Sequence, residues 1–400
     1  MTFRHIVRVG AAGLIAAAAL AAAAVPAYAA AVDFGVGFKG TTIAADASGK
    51  LGFVNITNYG STTPAKLNVL FDVTELDESK VTVPEPGDCT FTAGIADCPV
   101  DAAGIPGPGG TVDLPVPLFK QTGATGAAGQ LTVTVVVAGD TNKANDSTTV
   151  DVSVGGHGVD LGVVVPDVST LDAEQIPTGK PIPPGGSSAV LGTIINWGDA
   201  TATGLHVTVA LPKDVTFPDA SGCTLSADKR TVDCVADDLP LTPADRQTGG
   251  GDETSIVGII FPVTVSADAK GPVTLTGGEA TVAATGQESL SEAAARTLAR
   301  KATQALPKSF HRLTEAQLTA AVEVDASDNT DGFAVLVAGQ PGGGTGGSGG
   351  GTGEGGGLPV TGPVAASVAG AGAVIIAIGA VLFVVTRRRR VVLVTPADEK

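Results

Sequence analysis

A chain of 400 residues with a formal net charge of −16 repels phosphate backbones, which argues against nucleic acid as a partner. Aromatic residues are only 4%, and 55 glycines and 25 prolines imply many turns, so a core drawn from Val, Ile, Leu and Ala favours short strands over long helices. The length is enough for two or three domains, each with its own core.

The chain opens on a basic segment with Arg4 and Arg8, continues through the apolar run "AAGLIAAAALAAAAVP" and reaches Ala27-Tyr28-Ala29. That order predicts a secretory signal peptide over 1–29, cut between Ala29 and Ala30. Residues 30–361 are then expected outside the cell.

Two similar stretches follow. "LGFVNITNYGSTTPAKLNVLFDV" (51–73) aligns with "LGTIINWGDATATGLHVTVALP" (191–212), matching Asn58-Tyr59-Gly60 to Asn196-Trp197-Gly198. Each is followed by a cysteine pair and closes on an acidic, Asn-bearing turn before a last strand, "DTNKANDSTTVDVSV" (140–154) and "DASDNTDGFAVLVAG" (325–339). Period-two alternation, β-branched enrichment and frequent turn signals predict two β-sandwich domains, 32–154 and 158–338, that are copies of one unit.

All four cysteines fall in those pairs, so an exported chain should carry two local disulfides, Cys89–Cys98 and Cys223–Cys234. A zinc site is disfavoured because no His accompanies either pair and neither has Cys-x-x-Cys spacing. The acidic turns have two readings. Asp140, Asn142, Asn145 and Asp146, with Asp325, Asp328, Asn329 and Asp331, can offer oxygens to Ca²⁺, or can bond their own backbone as turn formers. Ca²⁺ is the one cofactor the sequence leaves open.

The second unit carries an insertion, about 286–318, where "SLSEAAARTLARKATQAL" predicts a helix. Ser289 and Glu292 form a capping box, Leu290, Ala294, Leu298 and Ala302 share one face, and the pattern stops before Pro307. Arg296, Arg300, Lys301, Lys308 and Arg312 make a local basic cluster suited to an anionic polymer, while the apolar face suits covering a sandwich edge.

No nucleophile elbow, HExxH, P-loop or Rossmann fingerprint is present. His157, His206 and His311 are far apart in sequence. The chain is therefore not expected to be an enzyme.

Residues 339–357, "GQPGGGTGGSGGGTGEGGG", have the composition of a flexible tether, with an r.m.s. reach of roughly 24 Å. Leu358-Pro359-Val360-Thr361-Gly362 follows, then 22 uncharged residues from Val364 to Val385, then Arg387 to Arg390 within the tail 386–400. As a helix that run spans roughly 33 Å, enough to cross a bilayer, and the arginines place the tail in the cytoplasm.

The pentapeptide, the apolar span 364–385 and the basic tail together resemble the LPxTG cell-wall sorting signal of Gram-positive surface proteins. The resemblance implies that a sortase recognises Leu358, Pro359, Val360, Thr361 and Gly362, cleaves Thr361–Gly362 and joins Thr361 to a peptidoglycan precursor. It implies a membrane-spanning chain before cleavage and a wall-anchored, extracellular protein after it. The ten residues "VVLVTPADEK" beyond the arginines depart from the usual tail, which ends close to its charges. The repeats resemble the immunoglobulin-like conserved repeats of bacterial surface proteins, which carry no catalytic residues to transfer. The expected role is a structural or adhesive module for a surface ligand. An uncleaved single-pass surface protein and a wall-anchored, Ca²⁺-dependent binding protein are the alternatives.

Overall fold

The structure is a computed structural model describing residues 31–84, 88–219, 222–237, 239–246, 254–288 and 322–339. The predicted signal peptide with Ala29 and Ala30, most of the predicted helical insertion, the residues beyond Gly339, the pentapeptide, the apolar run and the basic tail lie outside these residues. Among the described residues the chain is all-β, with helical geometry confined to single 3₁₀ turns, and no helix is long and apolar enough to cross a membrane.

The first stretch forms β1 (Phe34–Lys39), β2 (Thr42–Ile43), β3 (Gly49–Asn58), β4 (Leu67–Asp72), β5 (Val81–Thr82), β6 (Thr90–Thr92), β7 (Ile95–Val100), β8 (Thr111–Lys120), β9 (Gly126–Val136) and β10 (Ser147–Val154). The second forms β11 (Leu161–Val164), β12 (Ser187–Asn196), β13 (Thr201–Ala210), β14 (Val215–Thr216), β15 (Thr224–Leu225), β16 (Thr231–Ala236), β17 (Ile256–Val265), β18 (Val273–Glu288) and β19 (Thr330–Val337). Strand β18 stays extended through Glu288, two residues past the predicted onset of the insertion at 286.

Each stretch builds two facing sheets. In the N-terminal unit their orders are β1-β3-β8-β5 and β2-β10-β9-β4-β7-β6; in the C-terminal unit they are β11-β12-β17-β14 and, read from the far edge, β19-β18-β13-β16-β15. Apart from β2, every strand of one unit has a counterpart in the same place in the other. The duplication visible in the sequence is thus a duplication of topology.

The alternation that predicted the strands is borne out where one face meets a core. In β4, "LNVLFD", burial alternates residue by residue, with Leu67, Val69 and Phe71 inward. One core collects Phe34, Ile56, Leu118, Leu131 and Val152 from both sheets of the N-terminal unit. The other collects Leu161, Ile194, Val209, Phe217 and Val335 in the C-terminal unit.

Both disulfides are present, Cys89–Cys98 and Cys223–Cys234, with Cα–Cα separations of 4.2 and 4.5 Å. Each staples one of the paired hairpins, β6–β7 or β15–β16, and its cysteines pack on the adjacent core. Closing so short a loop restricts the unfolded chain, stabilising by about 2–3 kcal/mol on the chain-entropy model.

The Asn-aromatic-Gly repeat has a shared physical cause. Asn58 donates to the carbonyls of Thr62 and Pro106 and accepts from Gly60 N–H. Asn196 does the same with Ala200, Leu241 and Gly198. Both side chains are fully buried, so each amide satisfies backbone groups that would otherwise be orphaned. The glycines are required by close approach: a Cβ on Gly198 would sit 2.3 Å from the Gly158 carbonyl oxygen, and one on Gly60 would sit 2.8 Å from the Asp33 nitrogen. Asn196→Ala should cost about 2–3 kcal/mol in urea unfolding, because the Gly198 and Asp160 N–H groups lose their acceptor and the Ala200 carbonyl loses a donor.

Candidate functional site at the junction of the two units

Two sandwiches in tandem need not touch, yet these share a buried interface. Its apolar part is Leu51 and Phe53 of β3 against Val164, Ile195, Trp197 and Ala244 of the C-terminal unit. Trp197 is 5% exposed, whereas its repeat counterpart Tyr59 is 58% exposed. The same turn position has been turned into an interface anchor in one copy only.

The polar part is larger. Along the segment between β1 and β3, four backbone amides of the N-terminal unit point across the junction. Gly40 N–H donates to Ser327 Oγ (2.9 Å), Thr42 N–H to Asp325 Oδ2 (2.7 Å), Asp46 N–H to Asp199 Oδ2 (3.0 Å) and Ser48 N–H to Asp245 Oδ2 (3.0 Å). Asp167 accepts from Thr111 of the first unit and Ala334 of the second. Carboxylates receiving backbone N–H groups make strong, charge-assisted bonds, and two of them cover amides of edge strands, Thr42 in β2 and Ala334 in β19, that would otherwise invite pairing with another chain.

At the centre lies Lys50. It is 3% exposed, and its Nζ lies 2.8 Å from Asp160 Oδ2, 3.1 Å from Asp328 Oδ2 and 3.4 Å from Asp325 Oδ2, all in the other unit. Burial alone would drive the proton off Lys50, but Asp160, Asp328 and Asp325 together outweigh it and hold the ammonium charged well above its ordinary range. Burial raises Asp160 and Asp328, with repulsion from the neighbouring acids adding to it. For Asp325, burial is outweighed by Lys50 and by hydrogen bonds from Ser327 and Thr42, so it lies low. One cation thus faces three carboxyls in a buried site, with Asp325 held low and Asp160 and Asp328 raised.

A second ring of acids adjoins this cluster. Glu323, accepting from Leu161 N–H (2.9 Å), is pushed up by burial to about 7. Asp167 is raised, again chiefly by burial, to about 6. Asp113 and Asp331 are raised by burial, Asp113 further by the Asp331 charge. Lys39 reaches Asp331 at 3.2 Å, so the junction holds more acids than cations.

The acidic turns predicted as Ca²⁺ or turn residues occupy equivalent places before β10 and β19. Asp140 accepts from Phe34 N–H (2.7 Å) and Asn142 N–H (2.9 Å). Asn142 and Asn145 donate to Asp33, and Asp146 pairs with Lys143. Asp325 accepts from Ser327 and Thr42, Asn329 donates to the Val282 carbonyl, and Asp331 accepts from Val165 N–H. These contacts are turn and interface chemistry, spread over several partners. The sequence reading missed Lys50 and Asp160. The signal was there: a lysine in strand phase with Val54 and Ile56, and an aspartate in "VDLGVVV", are charges inside apolar strand patterns.

Of the histidines, His206 bridges β13 to β16 through Asp233 (2.8 Å) at a half-exposed site, and His311 lies outside the described residues. His157 stands beside Asp46 and Asp199, the group of metal-ligating side chains brought together among the described residues.

No family model matches the chain, and no curated protein matches it. Among solved structures, Escherichia coli alpha-2-macroglobulin activated by porcine elastase aligns at 11% identity over 78% of this chain and 22% of its own, with a TM-score of 0.23. Salmonella alpha-2-macroglobulin reacted with methylamine aligns at 11% identity over 77% and 16%, with a TM-score of 0.20. The chain spans about a fifth of the length of these proteins, and no argument about it rests on them.

Proposed function

We propose that this chain is an exported surface protein joined by a sortase to peptidoglycan through Thr361, presenting two immunoglobulin-like sandwiches as one stiff structural or adhesive module. The observation that carries the reading is the order of sequence features: signal peptide, two repeats, Gly-rich tether, Leu358 to Gly362, apolar span, four arginines. Two disulfides suit an oxidising, extracellular setting. The facing sheets with duplicated strand order support the immunoglobulin-like assignment.

The junction supports stiffness. Tandem domains move relative to one another unless their interface is large and well joined. Here an apolar patch, a buried lysine and a row of amide-to-carboxylate bonds cross it. A tether of about 24 Å would then hold a rigid body near the wall.

The test is the mass of the C-terminal peptide released from muralytically digested walls of the native organism. A peptide ending at Thr361 and carrying a cross-bridge fragment is expected, and Thr361→Ala should lose wall-linked protein entirely. Recovery only from membranes, with the tail intact through Lys400, would overturn anchoring and favour a permanent apolar span.

A further inference from the structure

The segment 155–160 joins β10 to β11 and is therefore the covalent hinge between the units. It brings His157 against one acid from each of them. His157 Nδ1 lies 2.7 Å from Asp199 Oδ2, in the C-terminal unit, and 3.7 Å from Asp46 Oδ2, in the N-terminal unit. The three potential ligand atoms all lie within 4.8 Å of one another.

Asp199 is the fixed member. Its side chain is 4% exposed, and Gly158 N–H (2.8 Å) and Asp46 N–H (3.0 Å) orient its two oxygens. Such outer-shell donors are what hold a ligating carboxylate in place. His157 and Asp46 are the open members, with side chains 68% and 67% exposed, so an ion can reach them from solvent.

We propose that Asp46, His157 and Asp199 form a site for a divalent transition-metal ion, Zn²⁺ by donor chemistry, that clasps the hinge by taking one ligand from each unit and one from the segment between them. One imidazole nitrogen with two carboxylate oxygens matches zinc-type sites with three protein ligands and an open position. Ca²⁺ and Mg²⁺ prefer all-oxygen shells. Ligands at about 2.0–2.1 Å from zinc stand roughly 3.3 Å apart in a tetrahedron. The 3.7 Å pair is close to that, and the 2.7 Å pair needs an opening of about 0.6 Å. The exposed imidazole can supply it while its remaining proton sits on Nε2 and the Nδ1 lone pair faces the ion. The inference is independent of how the chain is anchored.

The experiment is Zn²⁺ titration calorimetry on the full-length chain in detergent at pH 7.5, paired with Co²⁺ absorption spectroscopy. One Zn²⁺ per chain, d–d bands of a four- or five-coordinate Co²⁺ site and a rise in the unfolding midpoint with metal are expected. His157→Gln and Asp46→Asn, both at exposed positions, should each weaken binding at least tenfold while leaving the metal-free midpoint nearly unchanged. Absence of binding, or binding that neither substitution alters, would overturn the site and leave His157–Asp199 as an ordinary hydrogen-bonded pair.

Discussion

Lys50→Ala is expected to lower the unfolding free energy by about 3–5 kcal/mol, the cost of breaking a buried ion pair by removing one partner. The size follows from what remains. Asp160 and Asp328 are almost fully buried and Asp325 is 7% exposed, so the three carboxyls cannot recover hydration when their cation goes. They must take up protons or draw water into the junction. Because the cluster joins the two units, the same change should split one cooperative transition into two, seen by scanning calorimetry. Lys80→Ala is the control: its contact with Asp77, at 3.8 Å, is partly exposed, and such pairs add little. Lys50→Met combined with Asp160→Asn should recover part of the loss by removing a charge from each side. If Lys50→Ala unfolds at the wild-type midpoint in a single transition, the junction is not held by this cluster.

The second large effect is on pH. An acid whose folded value lies above its unfolded value binds more protons in the native state, so the native state weakens as pH rises through the gap. Glu323, raised from 4.5 to about 7, and Asp167, raised from 3.8 to about 6, both act this way. Stability should therefore fall between about pH 4 and pH 7. Glu323 alone contributes on the order of 3 kcal/mol across that window, at about 1.4 kcal/mol per pH unit of displacement. Below about pH 4 the sign reverses. Asp325 lies low through the Lys50 charge and then through hydrogen bonds, and Asp72 and Asp228 lie low through hydrogen bonds; their stabilisation is lost as they protonate. The thermal midpoint should peak on the acid side, near pH 4–5, and drop toward neutrality. Glu323→Gln should flatten the limb between pH 4.5 and 7, since the amide can still accept from Leu161 N–H and carries no charge to desolvate. A midpoint that rises steadily from pH 4 to 7, or a wild-type slope unchanged in Glu323→Gln, would show that these acids do not titrate as placed.

These effects concern residues that sequence reasoning passed over. Lys50 and Asp160 are 110 positions apart, and Lys50 and Asp325 are 275 apart; nothing local marks them as partners. The acidic turns show the same limit. Asp140 and Asp325 stand at equivalent places in the two repeats, but Asp140 receives the Phe34 amide of its own unit while Asp325 receives the Thr42 amide of the other. The local turn is the same, and its surroundings assign a different task.

What the sequence by itself determined was local. Alternation of period two marked the strands, because a half-buried strand must place every second side chain inward. Two local cysteine pairs with spacings of 9 and 11 marked the disulfides, because such spacings suit the ends of a hairpin and an exported chain pairs its cysteines. The repeat marked two copies, and the order of features at the ends marked the proposed route to the wall. Only the tertiary structure decided how the copies meet: which aromatic of the repeated turn is buried, which acids face Lys50, and that His157 stands between Asp46 and Asp199. Those facts depend on the relative placement of two sheets, and a charge inside a strand pattern signals only that a partner must exist, since burying it alone costs too much.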